Sequence, residues 1–114
     1  MSIELSLYIE KRILNLLLFA LELKRQLPES SDNFILSNQI VRIIRRLESI
    51  YEMARQVGEG EEFVSVMVEA QKEARETKYW IRVLKESNAQ LRIISELEDE
   101  SEELIKIFSR IISM

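Results

Sequence analysis

The chain has 114 residues, 46% apolar and 32% charged, which suits one domain (residues 1–114) with a core of ordinary size. It contains no Cys and no His, so disulfides, thiolate nucleophiles, imidazole bases and most zinc or haem sites are removed together. A balance of 16 basic against 20 acidic residues leaves a net charge of −4, which argues against a surface that attracts phosphate everywhere, and two Gly with one Pro disfavour an all-β fold.

The first helix is expected from Ser2, a candidate N-cap, to Leu27, with Pro28 as its stop. Its apolar residues fall on two seams: Ile9, Ile13, Leu16, Ala20, Leu23 and Leu27 form one, and Leu7, Leu14, Leu17, Leu18 and Leu21 form the other. Only one face of a helix in a small bundle can point at the core, so the surplus implies contact with another subunit. The run Ile13–Leu21 is interrupted by Asn15 and bounded by charges, which is too short for the roughly 20 apolar residues a membrane span needs. Glu4 precedes any basic residue and no small-residue cleavage site follows, so no signal peptide is read and a cytoplasmic protein is expected.

A hydrophilic link between Pro28 and Asn33 leads to a second helix ending near Val57, with the seam Leu36, Ile40, Ile43, Leu47, Ile50, Ala54 and Val57. These alternating steps of four and three are the heptad of helices crossing at a shallow angle. Gly58 is the expected residue just past its end, and Glu59, Glu61 and Glu62 would complement the positive end of a third helix. In that helix Phe63, Met67, Ala70, Ala74, Thr77, Ile81 and Leu84 keep the same alternation without a break. A fourth, starting somewhere between Ala89 and Ile94, has Ile94, Leu97, Ser101, Leu104, Phe108 and Ile111, widened by Ile105 and Ile112. The fold class expected is all-α: an antiparallel, up-down-up-down four-helix bundle.

Polar residues flank the third seam, with Glu69, Glu73 and Glu76 on one side and Lys72, Arg75, Lys78, Arg82 and Lys85 on the other. Ion pairing between helices or subunits is the structural account of such flanks. Alternatively the basic stripe, joined by Arg42, Arg45, Arg46 and Arg55, faces phosphates. The acidic run Glu96, Glu98, Asp99, Glu100, Glu102 and Glu103 is a solvated face, or the complement of that stripe on a neighbouring protomer. Tyr79 and Trp80 could stack on bases, but packing against helix one or across a subunit boundary is favoured. A di-metal carboxylate site requires Glu-x-x-His on two helices and cannot be completed without His. Paired acids for glycoside chemistry would need a cleft that nothing marks, so no catalytic residue, metal, cofactor or small-molecule substrate is expected.

The third helix, with Glu73-Ala74-x-Glu76-Thr77-x-Tyr79-Trp80 followed by Leu84 and Glu86, resembles that of the bacterial 23S rRNA intervening-sequence protein family. The resemblance extends upstream through Leu36-Ser37-Asn38-Gln39-Ile40 and downstream through Glu102-Glu103-Leu104-Ile105-Lys106-Ile107. It implies a left-handed antiparallel bundle assembled as a pentameric ring, often encoded within rRNA genes, with no established biochemical activity. Where that family has a small, polar Ser-Ile-x-Ala-Asn turn, this chain has Arg46-Leu47-Glu48-Ser49-Ile50. Taken together, the expectation is a non-enzymatic homo-oligomeric scaffold. One class is an accessory to RNA or a ribonucleoprotein, suggested by the family's genomic setting and by its relatives that assist the reverse transcriptase of diversity-generating retroelements. The other is a scaffold that binds only protein.

Overall fold

Four helices account for nearly all of the chain in the computed structural model, which describes residues 1–114. α1 spans Ile3–Gln26, and the Leu5 N–H donates to the Ser2 side chain at 3.1 Å, so Ser2 caps it as expected. Leu27 leaves the helical region immediately before Pro28, which cannot continue a helix. α2 spans Ser31–Val57, with Ser30 as its cap accepting from the Asn33 N–H at 3.0 Å. The connecting link is therefore shorter than its composition suggested, because Ser31, Asp32 and Asn33 already form the first turn of α2.

Gly58 closes α2 with φ at 86°, its N–H donating to the Ala54 carbonyl at 2.9 Å, and Gly60 follows with φ at 92°. Both lie in a region that disfavours a side chain, so the two glycines of the chain are spent on reversing it between α2 and α3. α3 runs Gly60–Asn88, with Glu61 and Glu62 in its first turn, and α4 runs Arg92–Ile112.

The four helices form a square seen end on: the backbones of α1 and α3 each run close to α2 and α4, while the diagonal pairs, α1 with α3 and α2 with α4, meet only through side chains in the core. The result is a rod 45 × 20 × 19 Å. α3 lies closer to both neighbours than α1 does. The reason is in the seams: Ala70, Ala74 and Thr77 on α3 are small and wholly buried, whereas α1 fills its side with Ile9, Ile13, Leu16 and Leu23. All seven seam residues expected on α3 are buried, as are all six on α4.

α2 departs from expectation. Of its expected seam Ile40, Ile43, Leu47 and Ala54 are buried, but Leu36, Ile50 and Val57 are only half-buried, and Asn33, Ser37, Val41, Ile44 and Tyr51 complete the buried face. Polar groups can hold these positions because each finds a partner. The Tyr51 hydroxyl donates to the Ser6 carbonyl at 2.9 Å and lies 3.2 Å from the Ser6 hydroxyl. Its ring stacks with Phe108 at 6.3 Å between centroids. Burial pushes the Tyr51 phenol up from its ordinary value, with the Ser6 hydrogen bond acting against that.

At the far end of the rod, Asn33 and Asn88 form a buried amide pair: Asn88 Nδ2 donates to Asn33 Oδ1 at 2.9 Å, and Asn33 Nδ2 donates to Asn88 Oδ1 at 3.4 Å. Their remaining amide hydrogens reach the Pro28 and Leu84 carbonyls at 2.8 and 3.0 Å. The pair ties the α1–α2 link to the last turn of α3. Asn88→Ala should leave the Asn33 amide partly unpaired and cost about 1–3 kcal/mol of stability, measured by urea unfolding. Adding Asn33→Ala should cost less than the sum of the two single changes, because both remove the same interaction.

Candidate functional site

Two surfaces stand out, on opposite sides of the square. On α1, the residues turned away from the core are Leu7, Leu14 and Leu18, each about half exposed, with Leu17 and Leu21 half-buried on the shoulder of the same seam. Ile3 continues the stripe toward the N-terminus of the helix and is 79% exposed. The surplus apolar surface expected of α1 is thus present on the protomer and has no covering element.

On α3 the basic stripe divides in two. Arg82 Nε and Lys85 Nζ both hold Glu98 of α4, at 2.7 and 3.0 Å, and Lys78 holds Glu102. These contacts keep the Glu98 and Glu102 carboxyls below their ordinary value, chiefly through the hydrogen bonds from Arg82 and Lys85 in the first case and from Lys78 in the second. The acidic run of α4 therefore complements the stripe within one protomer, because α3 and α4 are antiparallel neighbours. Lys72 and Arg75 have no ion pair. With Glu76, Tyr79 and Trp80 they border an open concavity of about 440 Å³.

The remaining cations from the sequence also separate. Arg55 is held by Glu10 of α1 and Glu52, both at 3.0 Å, and Arg46 lies 3.6 Å from the buried carboxylate of Glu73. Arg42 and Arg45 stay exposed on α2 without ion pairs. On α1, Arg12 donates to Glu100 of α4 at 2.9 Å and lies over the Tyr8 ring.

Trp80 is half-buried against the core and Tyr79 is 59% exposed, the two rings meeting edge to face at 5.2 Å. The backbones of α1 and α3 stand apart at opposite corners, and the concavity that Trp80 borders is lined by α3 residues alone. The indole N–H is buried and lacks a hydrogen-bond acceptor. No group of three or more acidic side chains converges to hold a metal ion, and no helix is long and apolar enough to cross a membrane.

The class this geometry defines is an antiparallel four-helix bundle with uncovered apolar side chains along the outside of α1. The same fold is found in the crystal structure of a protein with unknown function from the S23 ribosomal protein family of Bacteroides thetaiotaomicron. The two agree with a TM-score of 0.81 at 24% sequence identity, over 96% of this chain and 98% of that one. The family of that neighbour is consistent with the resemblance carried by the α3 motif. No protein-family model matches the chain, and no curated protein matches it.

Glu98 gains its two cationic partners only on folding, so its carboxyl is depressed in the folded state alone. The stability it contributes is present above its ordinary value of 4.5 and is lost as pH falls through the depressed one. Glu98→Gln should lower the urea midpoint at neutral pH and flatten its fall on acidification. An Arg82→Glu, Lys85→Glu double reversal should destabilise the protomer itself, seen as a lower melting temperature.

Proposed function

We propose that this protein is a non-enzymatic helical scaffold that works as a homo-oligomer, with the exposed leucine face of α1 as the surface that brings copies together. The observation that carries this is Leu7, Leu14 and Leu18 lying about half exposed along the outside of a helix whose opposite face is already dry. Full burial of a leucine contributes about 1.5–3 kcal/mol, so covering three half-exposed ones recovers a useful part of that several times over. A contiguous uncovered apolar face on a chain of this size points to a protein contact. The resemblance to the intervening-sequence proteins supports a pentameric ring, and the N-terminal sequence, with Glu4 ahead of any basic residue, supports a cytoplasmic setting.

The partner class favoured is protein. Three of the five cations on α3 are neutralised by the protomer's own α4, and the net charge of −4 repels a polyanion. A second reading, an accessory that binds RNA or a ribonucleoprotein, rests on Lys72 and Arg75, which remain unpaired beside Tyr79 and Trp80 and would recur around an oligomer.

In sedimentation velocity the wild-type chain should run well above its monomer mass of 13.5 kDa, and Leu14→Glu with Leu18→Glu should return it to the monomer with helicity intact. A wild-type chain that stays monomeric at high concentration removes the scaffold reading. Titration of a structured RNA at two salt concentrations separates the partner classes. Binding that weakens steeply with salt and is lost in Lys72→Ala with Arg75→Ala favours RNA, and no salt-sensitive binding favours protein.

A further inference from the structure

Resting on that self-association, we infer that the contact is head to tail: the outer face of α1 on one copy lies along the outer face of α3 on the next, the two helices parallel and level. α1 and α3 occupy opposite corners of the square, so their outer faces look in opposite directions. They also run in the same direction, since antiparallel α2 lies between them.

The two faces carry matching apolar spacings. Ile3 and Val64, Leu7 and Val68, and Leu18 and Tyr79 each stand 61 residues apart. All six side chains are exposed, from 37% at Val64 to 79% at Ile3. The two stripes start at the same end of the rod, where Met1, Leu5, Phe63 and Val64 border one cavity. Two copies set side by side at equal height therefore bring like positions opposite one another over about 22 Å of helix, at 1.5 Å per residue.

The polar positions between these steps fix the register further. Leu14 falls opposite Arg75, whose guanidinium has no ion pair and whose aliphatic stem can lie along the leucine. Lys11 falls opposite Lys72, and both are exposed and unpaired. That like-charge meeting is the one unfavourable position in the register, and it makes the register testable.

A heterologous contact closes into a ring when the operation relating the copies is a rotation without a rise; equal height supplies the absence of a rise, and the rotation must come from the angle at which the two faces meet. A two-fold contact of α1 with α1 would instead leave Val64, Val68 and Tyr79 uncovered.

Complementation tests the inference, using two variants altered only at exposed positions: Leu14→Glu with Leu18→Glu on α1, and Val68→Glu with Tyr79→Glu on α3. Each should be a folded monomer by circular dichroism and sedimentation. An equimolar mixture should form a one-to-one heterodimer and nothing larger, because each variant retains the face the other lacks. If the wild type oligomerises but the α3 variant still assembles, or the mixture stays monomeric, the head-to-tail contact is overturned while self-association stands. A monomeric wild type overturns both. Lys11→Glu should tighten the wild-type assembly, shifting its dissociation to several-fold lower concentration, and unchanged or weaker assembly overturns the register.

Discussion

A helix at the corner of a four-membered square has one inward face, and α1 carries more apolar surface than that face can hide. Ile9, Ile13, Leu16, Ala20 and Leu23 fill its share of the core completely. Leu7, Leu14 and Leu18 are left about half exposed, with Leu14 on the side where α1 meets α2. Bulk on α1 is matched by small side chains on α3, where Ala70, Ala74 and Thr77 let both neighbours close in. The asymmetry between a thick α1 and a slim α3 sets how the square is filled and which corner is left with apolar surface to spare.

Electrostatics reinforces the same frame. α3 and α4 are joined along their polar edge by Lys78, Arg82 and Lys85 reaching Glu98 and Glu102, and α1 reaches α4 through Arg12 and α2 through Glu10. Exposed pairs of this kind contribute little individually. Their effect here is on charge distribution: the α4 carboxylates use up cations that would otherwise make one long basic stripe, leaving only Lys72 and Arg75 of the five unpaired.

The seams of α3 and α4 were legible residue by residue because their buried positions are filled by apolar or small side chains in unbroken heptad order. Both caps of α1, Ser2 and the stop before Pro28, were legible for equally local reasons. α2 was legible in its middle, where Ile40, Ile43, Leu47 and Ala54 are buried, but Asn33, Ser37 and Tyr51 take inward positions that a hydrophobic count assigns to Leu36, Ile50 and Val57. Nothing in a single helix reveals that Asn33 will meet Asn88, or Tyr51 meet Ser6; such pairings are fixed by which ends the topology brings together. The charge complement between α3 and α4 was visible in composition, but whether it acts within or between protomers depends on adjacency around the square. The leucine surplus of α1 was visible in its periodicity, whereas its placement diagonally opposite Tyr79 was not.

The half-buried Trp80, the single tryptophan of the chain, has a further consequence. Its indole is pressed against the core with the N–H sealed from water and without an acceptor, and the exposed ring of Tyr79 meets it edge to face. Indole fluorescence shifts in colour with the polarity around the ring, so a change in what covers this edge of α3 would be recorded by an intrinsic optical probe. The molecule thus reports on its own surroundings without a label.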